Sequence, residues 1–430
     1  MTTKIAHELI TFIHKSPSMF HTVKTLEEEL LKNNFTYLDP SLPWTIEKGG
    51  KYYTTCNSSS LIAFCVHSTD VEKEGFRIIG AHGDTPGFRI KPNAQINTEG
   101  YIRLNTESYG GPILNTWLDR PLSLAGRVSL KGDHPLYPVT QLVDLNKPLL
   151  IIPNLAIHMN REVNAGVALN KQKDTLPLLT YVEENIETDL ILELVAHKLE
   201  VPKEDILDME LFLYPFEKGL QVGLKGEFIS SARLDDLSMV YSGLKALLHS
   251  QSSAGISVLA CFDNEEIGSR TKQGADSPFL IGCLERILIS LHKEREDLFR
   301  AISNSFMISA DVAHLTHPNS PEKCDPTHRV LPGKGPAIKV NANFSYTTDS
   351  DSASVFIALC KEHGIPYQLF LNRSDEKGGS TIGPVAASHL GIRSVDIGTP
   401  MLAMHSCREL MATEDVIHTY HALLAFYNLA

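Results

Sequence analysis

The sequence predicts an α/β fold, a mostly parallel sheet with helices on both faces, interrupted by an inserted β-rich segment. Three observations predict it. Short apolar runs such as Phe76 to Ala81 are bounded by glycines, here Gly75 and Gly83, as buried parallel strands are. After Phe228 such runs alternate with amphipathic helical stretches, the pattern of a sheet covered on both sides. Between about Pro92 and Phe228 the texture changes to short alternating strands broken by Gly110-Gly111, Pro112 and Pro153. The domain layout read from this is 1–92 with 229–430 as a discontinuous α/β domain, and 93–228 as the insertion.

Ile5, Leu9 and Ile13 recur at four-residue spacing and predict a first helix. Ser18 is placed to cap a second, with an apolar face through Val23, Leu26 and Leu30. Lys51 to Thr55 and Leu61 to His67 read as strands. Within the insertion, Tyr101 to Leu104 and Leu122 to Leu130 read as strands and about Asp189 to Leu199 as a helix. From about Asp236 to Ser250, Leu237, Val240, Leu244, Leu247 and Leu248 form an apolar stripe. Strands follow at Ile256 to Phe262, Phe306 to Ser309, Tyr367 to Phe370 and Ser394 to Ile397.

A chain of 430 residues, 43% hydrophobic and 21% charged, is expected to fold as a soluble protein around two cores. The formal charge of -12 leaves no basic surplus, so nucleic acid and anionic membrane are excluded as partners on bulk electrostatics. Met1 to Lys15 reads as a helix and not a signal, and no apolar run is long enough to span a bilayer. Seven dispersed cysteines with no Cys-x-x-Cys pair fit free thiols in a reducing compartment, hence a cytoplasmic location.

The chemistry follows from where acids and histidines fall, because open α/β sheets bind ligands beyond the carboxyl ends of their strands. Phe76 to Ala81 leads into His82-Gly83-Asp84, Ile256 to Phe262 into Asp263-Asn264-Glu265-Glu266, and Phe306 to Ser309 into Asp311. The strand ending near Ile397 leads to a loop with His405, and Asp235 stands at the start of a helix. Singly, either histidine reads as structural, Glu265-Glu266 as a solvated turn, and Asp235-Asp236 as a helix cap. Together, three carboxylates and two imidazoles at one edge supply ligands for two zinc or similar ions, the set of a two-metal hydrolase.

Asp235 is the natural bridge if His82 and His405 sit on opposite ions. Successive side chains alternate along a strand, so Glu265 and Glu266 are expected to point apart, one binding metal and its neighbour acting as general base. Asp84 is expected to accept the other ring N–H of His82 and fix its tautomer. Zinc, cobalt and manganese all suit these ligands.

Eight stretches in this chain resemble the aspartyl aminopeptidase family of metallopeptidases, in order and over essentially the whole length. They are Ala81 to Gly87, Arg233 to Asp236, Asp263 to Ser269, Ser309 to His314, His317 to Asn319, Gly335 to Asn341, Ser380 to Pro384 and Ala403 to Ser406. The resemblance implies a zinc exopeptidase-like catalytic domain, an inserted dimerisation domain, and dimers assembled into a tetrahedral dodecamer. It implies two zinc ions per subunit held by His82, Asp235 as bridge, Glu266, Asp311 and His405, with Glu265 as general base and Asp84 as the partner of His82. His158 would reach the active site of a neighbouring subunit, with a direct ligand role as the alternative. Lys339 would bind an acidic substrate side chain, with His317 lining the same pocket. After Asn341 the sequence departs from the eukaryotic pattern, Ala342 to Tyr346 replacing a more basic stretch. The implied activity is removal of N-terminal Asp or Glu from peptides. Rival readings are a two-metal N-acyl amino acid deacylase and a catalytically inactive self-assembling shell protein.

Overall fold

Four adjacent parallel strands form the centre of a nine-stranded mixed sheet in the computed structural model, which describes residues 2–184 and 186–429. They are, in spatial order, Ile256–Phe262, Phe76–His82, Phe306–Ala310 and Arg393–Gly398. On one side the sheet continues through Ser60–Val66 and Lys51–Cys56, both joined antiparallel, to the short Thr36–Tyr37. On the other, Ala337–Lys339 joins antiparallel and carries Gln368–Phe370 parallel to itself. The chain leaves Phe76–His82 for a strand on one side and later returns on the other side of it. That reversal makes the carboxyl end of Phe76–His82 a topological switch point, where such sheets bind ligands.

The alternation of side chains sorts each central strand between two cores. Leu61, Ala63 and Cys65, with Ile79, Ala81, Leu259, Cys261, Ile308 and Ala310, face one. The helices Thr2–Lys15, Met19–Lys32, Leu234–His249, Ser350–Glu362 and Thr413–Tyr427 cover that face. Ile62, Phe64 and Val66, with Phe76, Ile78, Val258, Ala260 and Met307, face the other. Phe279–Ser290, Arg295–Ser303 and Ile382–Leu390 cover it. Burial on both faces is why these strands read as continuous apolar runs. Ser18 occupies the N-cap of Met19–Lys32 without a capping hydrogen bond, its Oγ lying 2.8 Å from His21 Nδ1 instead.

The chain divides into two compact units. One comprises the residues up to Asp84, Gly219–Met404 and those from Glu409 on; the other comprises Thr85–Lys218 and His405–Arg408. The first also contains a five-stranded sheet of Leu220–Val222, Phe228–Ser231, Glu409–Ala412, Pro400–Leu402 and Ala313–His314, which sequence patterning did not anticipate. Strands of two to four residues are too short to show a period.

The second unit is a six-stranded antiparallel sheet, in the order Tyr137–Asp144, Leu122–His134, Ile206–Pro215, Gly87–Thr98, Tyr101–Tyr109 and Leu178–Tyr181. Its core gathers Phe88, Leu104, Trp117, Leu124, Val128, Leu211 and Leu213 with Ile191 and Val195 of the helix Leu190–Leu199. Asp189 caps that helix, its Oδ1 accepting from Ile191 N and Leu192 N. The expected boundary after residue 92 falls inside Gly87–Thr98. Pro92 lies where pairing to Tyr101–Tyr109 shifts register between Ile90 and Gln95, a position at which a strand accepts proline. The expected boundary at 228 falls on the first residue of Phe228–Ser231.

All seven cysteines are free thiols. Among the described residues, no helix is long and apolar enough to cross a membrane. Ile308, with no solvent exposure in the central strands, is predicted to cost about 2 to 5 kcal/mol of stability when changed to Ala. Ile289→Ala, at a 62% exposed position, should stay within about 0.5 kcal/mol, both read by chemical denaturation of the metal-free protein.

Candidate metal centre

The parallel register delivers acidic and imidazole side chains to one edge of the first unit. His82 is the last residue of its strand, opposite Phe262, and 1% exposed. Its backbone N–H donates to Asp236 Oδ2 at 3.1 Å. Its Nε2 lies 3.5 Å from Asp235 Oδ1, 3.9 Å from Asp311 Oδ1 and 4.0 Å from Asp236 Oδ2. Groups whose ligand atoms lie within 4.8 Å of one another include His82 with Asp235, Asp236 and Asp311, and His82 with Glu265 and Glu266.

The other ring nitrogen fixes the tautomer. His82 Nδ1 lies 3.0 Å from the backbone carbonyl oxygen of Asp84, with Asp84 Oδ1 at 3.4 Å. A carbonyl only accepts, so Nδ1 carries a proton, and in the neutral, metal-binding form of the ring the lone pair on Nε2 faces the carboxylates. Nδ1 thus faces both the Asp84 backbone carbonyl and the carboxylate that the sequence suggested, the carbonyl being the nearer. That carboxylate also accepts the backbone N–H of Glu265 at Oδ1, 3.1 Å away, and of Glu266 at Oδ2, 3.2 Å away.

Those two bonds accompany a turn that overturns the expected alternation of the two glutamates. The chain leaves Ile256–Phe262 through Asn264 in the left-handed region (φ 61) and enters a 3₁₀ turn, Glu265–Ile267. Strand alternation no longer applies there, and both carboxylates approach His82. Asp235 and Asp236 open the Leu234–His249 helix in non-helical conformations, joined by a cis peptide. Asp235 N donates to Glu409 Oε2 at 3.1 Å. Asp236 is fully buried, and its Oδ1 has no hydrogen-bond partner.

Crowding of like charges sets the electrostatics. Burial, reinforced by Asp311 and Asp235, pushes Asp236 well above the usual carboxylate range despite the opposing His82. Burial and then Asp235 do the same to Glu266. Glu265 is pushed up to about 8 by burial, with His82 opposing and Asp311, Asp84 and Asp235 adding. Burial and the neighbouring Asp84 push Asp263 up to about 7. Burial disfavours the His82 imidazolium, yet Asp236, Asp235 and Asp84 outweigh it and raise its pKa well above the ordinary value.

The remaining expected residues fall in different places. Asp311 directly follows Phe306–Ala310, and its Oδ2 pairs with Lys339 Nζ at 3.3 Å. Lys339 is 3% exposed, unlike the strand-end surface charge its position alone suggests. His405 groups with the second unit, where its Nδ1 lies 3.1 Å from the Gly111 carbonyl, so by the same logic Nδ1 carries a proton and, in the neutral ring, Nε2 the lone pair. His158 is exposed in a turn of the second unit. His317 is exposed, its Nδ1 accepting from Asn319 N at 3.2 Å. Sequence reasoning passed over Asp236, Asp263 and Glu409. Asp236 and Asp263 had a signal in their adjacency to named acids, and Glu409 had none.

Nitrogen and carboxylate oxygen donors gathered in a buried, electronegative space fit zinc or a similar divalent ion. The Asp236 oxygen lacking a partner and the carboxyls pushed toward their neutral forms are what such a cation would relieve.

The model of the aminopeptidase I zinc metalloprotease (M18) family matches residues 12–427. A probable M18 family aminopeptidase 2 of Clostridium novyi (strain NT) is 56% identical over 428 residues, 99% of each chain. Among solved structures, a chain of the Ape4 and Nbr1 complex is similar at TM-score 0.95 and 36% identity, over 99% of this chain and 86% of that one. The S. cerevisiae mApe1 dodecamer is similar at TM-score 0.84 and 31% identity, over 99% and 95%.

Raised carboxyl pKa values mean that the metal-free native state keeps protons the unfolded chain has released. Its stability therefore falls as pH rises from the ordinary carboxylate range toward 7 for Asp263 and 8 for Glu265. Melting with chelator present should drop by several degrees between pH 6.5 and 8, less so in Glu265→Gln. Added zinc, which favours the ionised carboxylates, should raise melting most at pH 8.

Proposed function

Because the chain belongs to the aminopeptidase I zinc metalloprotease (M18) family, and so is a metallo-aminopeptidase, we propose that it removes single N-terminal residues, Asp and Glu preferred, from peptides. The observation that carries this reading is the buried gathering of Asp235, Asp236, Asp311, Glu265 and Glu266 around His82. His82, Asp235, Glu266, Asp311 and His405 are the residues that would hold two zinc ions. Bound there, the ions would supply Lewis acidity at the scissile carbonyl and lower the pKa of water.

Glu265 takes the proton of the attacking water and delivers it to the leaving amine. Burial pushes this group up to about 8 in the metal-free protein, and nearby cations would lower it again, favouring the carboxylate that accepts a proton from water. Asp84 is a positioning residue. Its two oxygens hold the backbone N–H groups of the turn that carries base and ligand together, and its carbonyl holds the His82 ring. Asp235 is held in turn by Glu409.

Acidic preference in a chain of net charge -12 calls for local positive potential, which we assign to Lys339, with His317 contributing to the same pocket. We assign His158 to the active site of a neighbouring subunit, its exposed turn in keeping with contact outside its own chain. The second unit is the proposed dimerisation element, and the dodecamer of the similar S. cerevisiae protein supports a twelve-subunit assembly, which we propose is a tetrahedral arrangement of such dimers. Free thiols and the absence of an apolar spanning helix among the described residues support cytoplasmic residence.

The test is hydrolysis of aminoacyl chromogenic substrates and their N-acetylated forms, by wild type and Glu265→Gln, after chelation and after zinc, cobalt or manganese is restored. Expected are metal-dependent release from free amines only, faster for Asp and Glu, and a variant slower by about 10² to 10⁴. Cleavage of blocked substrates would replace this reading with the deacylase. Inactivity with every metal would replace it with the shell protein.

A further inference from the structure

Lys339 is not waiting in an open pocket for an acidic side chain. Its ammonium already meets a carboxylate, Asp311 Oδ2 at 3.3 Å, inside the protein. Lys339 is 3% and Asp311 8% exposed, and the Tyr346 ring, itself 4% exposed, lies 5.4 Å from Nζ. Asp396, fully buried, lies close enough to Lys339 for their charges to interact, and adds a second counter-charge.

The backbone sets this pairing. Ala337 and Ile338 pair across to Gly398 and Ile397 of Arg393–Gly398, Ile397 pairs on its other side with Ala310, and Asp311 N donates to the Ile397 carbonyl at 3.1 Å. Asp311 and Lys339 are thus referred to the same residue of the strand between them. The two oxygens of Asp311 divide accordingly, Oδ1 toward His82 Nε2 at 3.9 Å and Oδ2 toward Lys339.

We infer that Lys339 is a positioning residue for the metal centre. It holds one oxygen of Asp311 so that the carboxylate offers only the other to zinc, whatever further contact it makes to substrate. A carboxylate with one oxygen held by a charge-assisted bond has its orientation set before the metal arrives. Losing the ammonium therefore weakens metal binding and lowers turnover of every substrate, neutral ones included. A lysine acting on substrate alone would affect only Asp and Glu. The inference rests on the proposed ligand role of Asp311.

The experiment measures zinc affinity by equilibrium dialysis against a competing chelator, with metal counted by atomic absorption, for wild type, Lys339→Met and Lys339→Gln. Hydrolysis of Asp and Leu substrates is followed alongside at limiting and at saturating zinc. Expected is a loss of about 10- to 100-fold in zinc affinity for Lys339→Met, with Leu-substrate turnover falling at limiting zinc and recovering at saturation. Lys339→Gln, whose amide still donates but carries no charge, should lie between, and it carries the comparison alone if the Met variant does not fold. Zinc affinity in the folded variants within threefold of wild type, with only Asp turnover reduced, would overturn the inference and leave Lys339 a substrate contact. A wild type that binds no zinc would overturn both this inference and the two-metal reading, which separates the two failures.

Discussion

The candidate site depends on one constraint: several carboxylates held together out of reach of bulk solvent. Four parallel strands end at the same edge, and three of them run directly into His82, Asp263 and Asp311. Parallel register makes this convergence unavoidable, since strands paired side by side in one direction must release their chains at one end. Isolated like charges there would repel by several kcal/mol at the low effective dielectric of a buried site. In the native protein without metal, burial and these like charges push Glu265, Asp236 and Glu266 toward their protonated forms, while the same acids favour the charged form of His82.

Asp84 converts this cluster from a crowd into a geometry. One residue grips three others: its carbonyl orients the His82 ring, and each carboxylate oxygen holds one backbone N–H of the Glu265–Ile267 turn. Neither bond to the turn needs the glutamate side chains, so Glu265 and Glu266 stay available while their backbone is fixed. The carbonyl partners of His82 and His405 do equivalent work on tautomers, each leaving Nε2 as the atom with a lone pair.

The sheet's central strands were legible because burial on both faces writes itself as unbroken apolar runs, and Phe76–His82, Ile256–Phe262 and Phe306–Ala310 lie where those runs predict. The edge sheet through Phe228–Ser231 and Glu409–Ala412 was illegible because four residues carry no period. Within the site, His82, Asp235, Glu266 and Asp311 announced themselves by standing at strand and helix ends. The relation between Glu265 and Glu266 did not, because it depends on a left-handed Asn264 that leads the chain into a 3₁₀ turn beyond the strand. Nor did the burial of Lys339, which arises from a loop 342–346 folding Tyr346 over it; without the family resemblance it reads as a surface charge.

Charge balance connects the metal centre to the lysine. The buried or half-buried acids Asp84, Asp235, Asp236, Asp263, Glu265, Glu266 and Asp311 face one ammonium, Lys339, and His82. With Asp396 beside the lysine and Glu409 beside Asp235, nine carboxylates, fully ionised and with a neutral imidazole, outnumber the one ammonium by eight, and two divalent ions would leave four. That residual raises the proton affinity of carboxylates that would bind neither metal nor lysine, which strengthens such a group as a base toward water. The same excess accounts for a buried ammonium beside a site that could hold cations: repulsion from two proposed ions would be outweighed by the acids left over.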